Sequence, residues 1–241
     1  MLQLNRRHAV VLGLAAGVCA PMARASTAAD AGEMLALMTG ALQSQGSLSF
    51  QATLDFGGSA GAAGRKTLGT RVQAAYQRPG RLLARYGDGG DLVLAAEGSK
   101  ATLFRASKAA KAVLPVKPGL SAFSVDGLFL PFLGLFAADV SKALLGEVRS
   151  ITLLSQGLPD QTEETVLIAV LSSLFTGEIW ISKGSSLPTR IIGTFFDGAG
   201  GTAASARLDF SNWSTAPLAP SAFDVPGFQE AREVTLDALE R

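Results

Sequence analysis

Leu48-Ser49-Phe50-Gln51-Ala52-Thr53-Leu54-Asp55-Phe56 decides the fold. Apolar residues at 48, 50, 52, 54 and 56 alternate with polar ones at 49, 51, 53 and 55. Period two is the signature of a strand with one face on a core and one in water. Upstream, Ala28–Gln45 has another period: Met34, Leu35, Met38, Ala41 and Leu42 recur every three or four residues, as one stripe of a helix ending near Gly46. Such a methionine-bearing stripe packs a core or forms an adaptable lid.

Downstream, extended segments repeat between turns. Lys66–Gln77 is interrupted by Arg78-Pro79-Gly80-Arg81 and continues as Leu82–Tyr86; Leu92–Ala96 and Ala101–Arg105 read as a hairpin about Glu97-Gly98-Ser99-Lys100; Ala112–Val116 is a short strand. After residue 145 come Val148–Ser155, Thr165–Ser172, Gly177–Ser182, Thr189–Phe196 and Ala203–Trp213, and from Thr215 a proline-bearing tail that reads as irregular. Between the two sets, Leu128, Phe129, Leu130, Phe132, Leu133, Leu135 and Phe136 crowd together. Pro131 and Gly134 break that run, so it is no membrane-spanning helix, and Ala137–Leu145 reads as a short helix with Asp139 near its start. The run is either a buried connector or an apolar lid over a cavity. The fold class expected is α+β, mainly antiparallel: nine to eleven strands in an open curved sheet, with an N-terminal helix and a mid-chain helical insert.

The single histidine and single cysteine, His8 and Cys19, lie in a leader. Arg6-Arg7, the apolar run Ala9–Ala20 and the small-x-small site Ala23-Arg24-Ala25 form an export signal, expected to be cut after Ala25. The arginine pair invites twin-arginine export, although Ala9 stands where that motif has a large apolar residue. Val18 before Cys19 argues against lipidation. Residues 26–241 then form one domain of 216 residues with 18 Lys and Arg against 20 Asp and Glu, a net charge of −2. Without His or Cys, the exported chain has no Ser-His-Asp triad, Cys nucleophile, Cys or His metal site or disulfide. Its charge balance gives no general reason to bind nucleic acid.

Other chemistry is thin. Glu163-Glu164 reads as solvated, Asp88 and Asp91 as too few oxygens for calcium, and Gly198, Gly200 and Gly201 as a strand-to-strand loop rather than a phosphate cradle. Arg71, Arg78, Arg81 and Arg85, with Tyr76 and Tyr86 among them, face solvent, pair with carboxylates, or hold an anionic head group. No catalytic residue, metal or cofactor is expected.

The Arg78-Pro79-Gly80-Arg81 turn resembles that of LolA- and LolB-like periplasmic lipoprotein carriers. The order of features is similar to that of an uncharacterised bacterial envelope family with a LolA-like fold. The matching features are the N-terminal helix, Leu48–Phe56, the Arg-Pro turn, Glu97–Lys100, Trp180-Ile181 with Leu187-Pro188-Thr189-Arg190, Leu208–Trp213, and a proline-rich end with Phe223. The resemblance covers about residues 30–228. It implies an unclosed antiparallel barrel wrapped around helices, with an apolar cavity that takes acyl chains in the carriers. Gly57–Gly64 departs from the pattern, and nothing here matches the carriers' lipoprotein-handover elements. The expected walls are Phe50, Leu54, Tyr76, Leu128, Phe129, Phe132, Phe136, Ile179, Ile181, Phe195 and Phe210, with Arg78 and Arg81 at the rim. The expected function is a monomeric, non-enzymatic periplasmic carrier of a lipid, acyl chain or lipoprotein. The alternative is an envelope protein-interaction module with a packed core. A hydrolase built on Ser, Asp or Lys is the third reading.

Overall fold

A computed structural model describes residues 28–57, 71–98, 100–115, 123–125, 128–154, 165–196 and 204–240. Helix α1 (Ala28–Ser44) precedes β1 (Ser47–Gly57), β2 (Arg71–Gln77), β3 (Arg81–Tyr86), β4 (Leu92–Glu97), β5 (Lys100–Arg105) and β6 (Ala110–Pro115). A small hairpin follows, β7 (Phe123–Val125) with β8 (Leu128–Leu130), then a 3-10 turn at Leu133–Phe136 and α2 (Val140–Leu144). The chain continues through β9 (Val148–Leu154), β10 (Thr165–Ser172), β11 (Phe175–Ser182), β12 (Pro188–Phe195) and β13 (Ala204–Ser214), and ends in β14 (Arg232–Glu233) and α3 (Leu236–Glu240).

Twelve strands form one unclosed sheet in the order β14-β6-β5-β4-β3-β2-β1-β13-β12-β11-β10-β9. All neighbours are antiparallel except β14, which lies parallel to β6. The expected architecture is the observed one, with more strands than the nine to eleven read from sequence. Two meanders, β1–β6 and β9–β13, meet at the β1–β13 pair. Strands β6 and β9 therefore sit near opposite ends of the sheet, and the segment joining them must cross a face of it.

It crosses the inner face. Phe132, Leu133, Leu135, Phe136, Val140 and Leu144 are buried in one core with Leu48, Phe50 and Leu54 of β1 and Leu35, Met38 and Leu42 of α1. The methionine stripe is thus core rather than lid. Asp139 caps α2, its carboxylate accepting from the Lys142 N–H at 2.9 Å. The insert is less helical than expected: a hairpin, one 3-10 turn and five residues of α-helix. The helix expected over 137–145 is shortened to Val140–Leu144 because Asp139 takes the extended conformation of an N-cap. Upstream, Gly134 lies where an added Cβ would come 3.3 Å from the Leu144 backbone.

Gly177 and Gly193 face each other across β11 and β12. A Cβ on either would fall within 2.4 Å of a partner-strand carbonyl, and the Phe175 ring covers the pair.

Strands β3 to β5 are apolar on both faces. Leu82, Ala84 and Tyr86 point inward, while Leu83, Val93 and Phe104 form a second, outer cluster with Phe223 and Ala231. The tail beyond β13 is the cover that outer cluster needs. It is more ordered than expected: a 3-10 turn at Pro220–Phe223 leads across the sheet to β14 and α3, and Leu239 is fully buried. No helix among the described residues is long and apolar enough to cross a membrane.

Candidate functional site

The expected cavity wall is a packed aromatic core in this structure. The Phe50 ring lies 6.0 Å from Phe132, 5.8 Å from Phe136 and 5.3 Å from Phe210, and Tyr76 stacks on Phe136 at 4.7 Å. Phe132 and Phe136 are 0% exposed. Leu54, Ile179, Ile181 and Phe195 belong to the same core, Phe195 against Phe175 at 4.9 Å. These rings fill the space over β1, β2 and β13. Leu128 and Phe129 sit on β8, and their side chains lie outside the described residues.

The two rim arginines part company. Arg78 closes α1. Its Nε donates to the Gln45 carbonyl at 3.0 Å, Nη2 to the Leu42 carbonyl at 3.1 Å, and its backbone N–H to the Gly46 carbonyl at 2.9 Å. Gly46 does not take the left-handed conformation that ends many helices, so the last carbonyls of α1 find this guanidinium instead. Its charge also suits the negative end of the helix dipole. Burial pushes the Tyr76 hydroxyl above its ordinary pKa, with Arg78 pulling weakly the other way. Arg78 thus has a structural position, away from any rim.

Arg81 lies at a mouth, but on the outer face. Its guanidinium sits 4.5 Å from the centre of the Phe223 ring. It borders a cavity of about 680 Å³ between β3, β4 and β5 and the C-terminal strap. Leu83 and Ala95 form the floor, Phe223, Val225 and Phe228 the strap side, and Arg81, Glu97 and Lys100 the mouth. The strap is held at both ends. Arg85 donates to the Asp224 carbonyl at 2.9 Å, and Lys111 Nζ to the Phe228 and Gln229 carbonyls at 2.9 and 3.2 Å. Phe228 packs on Phe104 at 5.6 Å.

Beside it, a shallower pocket of about 270 Å³ is lined by Ser49, Gln51, Gln73, Arg85 and Asn212, and shares Leu83 with the first. Asn212 reaches it through a bulge. Ser49 faces Ser214 but Gln51 faces Ser211, which puts an extra residue on β13. With φ of +54°, Asn212 turns outward to donate to Gln51 Oε1 at 2.9 Å, while Trp213 turns inward against Phe50.

The remaining charged candidates are spoken for. Asp88 pairs with Arg71 at 2.5 Å. Asp91 accepts from the Ser107 N–H and hydroxyl at 2.6 and 3.0 Å, closing a loop rather than holding a cation. Glu163-Glu164 and the Gly198–Gly201 loop lie outside the described residues. Among those described, no three acidic, His or Cys side chains gather as for a metal.

The sequence reading missed the strap groove. Its signal was the loss of alternation in Leu82-Leu83-Ala84, Leu92-Val93-Leu94 and Leu103-Phe104, which requires cover on both faces. Phe223, Val225 and Phe228 in the tail are that cover.

The chain is thus an unclosed antiparallel sheet folded around an apolar insert. Residues 31–237 match the family described as "Predicted periplasmic protein (DUF2092)", and the chain belongs to that family. No curated protein sequence matches it. Among solved structures it is similar to LprF from Mycobacterium bovis, at 13% identity and TM-score 0.46 over 79% of this chain and 95% of that one. The Mycobacterium tuberculosis lipoprotein LppX aligns at 10% identity and TM-score 0.44, over 80% and 99%. The LolA superfamily protein NE2245 from Nitrosomonas europaea aligns at 13% identity and TM-score 0.37, over 81% and 97%.

Proposed function

We propose that this protein is a periplasmic, non-enzymatic carrier that binds an acyl chain in the groove beneath its C-terminal strap. The observation that carries this reading is the cavity of about 680 Å³ between Leu83, Ala95, Val225 and Phe228. That volume suits a lipid-sized ligand. The apolar floor and strap suit an acyl chain, with Arg81, Lys100 and Glu97 at the mouth where one end of it enters. The family's periplasmic description and the leader support export, with cleavage after Ala25. The carrier works as a monomer, without metal, cofactor or nucleic acid. The outer face is the proposed site, since Phe50, Tyr76, Phe132 and Phe136 pack against one another on the inner face.

Protein purified without detergent and sprayed under native conditions should carry acyl-chain mass. Val225→Asp places a carboxylate in the groove. It should lower the affinity for a fluorescent fatty acid at least tenfold while leaving the circular dichroism spectrum unchanged. Equal binding by the variant would place the ligand elsewhere.

A second reading, an envelope protein-interaction module, is favoured by a different feature. Strand β9 has no outer strand partner among the described residues, and Val148, Leu154 and Leu171 are 40–46% exposed at that end of the sheet. An uncovered edge is a template for strand addition. A stoichiometric protein partner in lipid-free preparations, lost in an Ile151→Pro variant, would support this reading over the carrier.

A further inference from the structure

We infer that the pocket lined by Gln51, Gln73 and Asn212 is a head-group subsite, and that the ligand carries an uncharged head rich in hydroxyl or amide groups. This rests on the proposal that the adjoining strap groove takes an acyl chain.

Continuity is the first argument. The two pockets share Leu83, and they straddle the strap at Ala222 and Phe223. From β4 to β1 is three strand spacings, about 15 Å of sheet. A ligand lying across the strands would have its chain under Phe223, Val225 and Phe228 and its head over β1 and β2.

Chemistry is the second. Gln51 and Gln73 are outward-facing neighbours on β1 and β2, in direct register. Gln51 accepts from Asn212, which leaves its own NH₂ group and the Asn212 carbonyl free to bond a ligand. The Gln73 side chain makes no hydrogen bond among the described residues. Ser49 adds a hydroxyl beside them. This set offers donors and acceptors side by side, which is what a diol or an amide requires. A phosphate or sulfate would want a cluster of cations. The pocket has one, Arg85, and its guanidinium already donates to the Asp224 carbonyl.

The bulge is the third. Asparagine adopts the left-handed region more readily than other non-glycine residues, which suits position 212 of the bulge. Here its result is to bring a third amide to the outer face, where plain alternation would have turned Asn212 inward.

The test uses the full exported chain and displacement of N-phenyl-1-naphthylamine from the groove. Four probes with the same twelve-carbon chain are compared below their micelle concentrations: dodecyl maltoside, lauroyl-glycinamide, dodecyl sulfate and dodecyltrimethylammonium. The neutral pair should displace the dye at concentrations at least about fivefold lower than the charged pair, the worth of one hydrogen bond. Whichever neutral probe is the stronger identifies a hydroxyl or an amide head. Gln73→Leu, at an exposed site, should erase the preference. Equal displacement by all four probes, or a charged probe binding best, overturns the head-group assignment while the groove stands. If the dye does not bind, or Val225→Asp leaves its binding intact, the groove falls and the subsite with it.

Discussion

Replacing Arg78 by alanine separates a structural arginine from a ligand-binding one. The wild-type side chain makes two charge-assisted hydrogen bonds to the Leu42 and Gln45 carbonyls and sits 5.5 Å from the Tyr76 ring centre. At a half-buried site each hydrogen bond contributes about 1 kcal/mol net. The charge at the end of α1 adds about 0.5 kcal/mol, and the contact with the Tyr76 ring about as much again. Arg78→Ala should therefore cost about 2.5–3 kcal/mol. For a domain of this size that is a fall in Tm of roughly 5–12 °C. Arg78→Lys keeps the charge but not the fork that reaches two carbonyls, and should lose about half as much. Urea unfolding followed by tryptophan fluorescence gives the free energies, and an unchanged m-value would confirm that both variants unfold from the same native state. Chain affinity in the strap groove should match wild type in both. If Arg78→Ala keeps its urea midpoint but loses ligand affinity, the reasoning is wrong and Arg78 is a rim residue.

Phe136→Ala removes a ring that touches Phe50, Phe132 and Tyr76 and should cost about 3–5 kcal/mol in urea unfolding. Acyl-chain affinity should not change, because the ring is core rather than cavity wall. The Tyr86 hydroxyl is buried without a partner among the described residues, and burial pushes its pKa well above the tyrosine range. Tyr86→Phe deletes that unsatisfied group and should be neutral or stabilise by about 1 kcal/mol. Burial tends to raise the Asp209 carboxyl, but hydrogen bonds from Arg207 and Arg190 outweigh it and hold the group below the usual range. A depressed folded value stabilises the protein above the unfolded value and is lost as pH falls through the folded one. Between about pH 5 and pH 3 the wild type should thus lose more stability than Asp209→Asn, by urea midpoints at each pH.

The strands were legible because alternation is a local property. Leu48–Phe56 reads the same in the sequence and in the sheet, where Leu48, Phe50 and Leu54 are buried and Gln51, Thr53 and Asp55 are exposed. The short helix near Asp139 was legible too, although it begins at Val140 rather than Ala137. What stayed hidden depends on residues far apart in the chain. Nothing near Arg78 says that it closes a helix 33 to 36 positions away. Leu128–Phe136 looks alike whether it lines a cavity or fills one, since both need large apolar side chains. The difference lies in whether Phe50, Tyr76 and Phe210 reach it, which is a matter of sheet curvature. The tail is mostly irregular, as it reads, but its packing was not legible. Pro217, Pro220 and Pro226 are sound evidence against regular structure, but irregular backbone can still pack, and Phe223 does.

Topology explains why the strap groove lies outside the sheet. The connection from β6 to β9 is obliged to cross one face of the sheet, because those strands stand near opposite ends, and its apolar residues put it on the inner one. A traverse of small side chains would have left a void. This one carries Phe132, Leu133, Leu135 and Phe136, all buried, and fills it. The return from β13 to the β6 edge crosses the outer face under the opposite conditions. Its prolines keep it from docking as a regular helix or strand, and only Phe223, Phe228 and a few smaller apolar residues reach down to Leu83, Val93 and Phe104. A strap anchored at Arg85 and Lys111 but thinly furnished between them holds its distance from the sheet without filling the gap. The same feature that makes the outer cluster a poor core makes it an available site. A binding protein of this design can keep its inner core rigid while its ligand competes only with the strap.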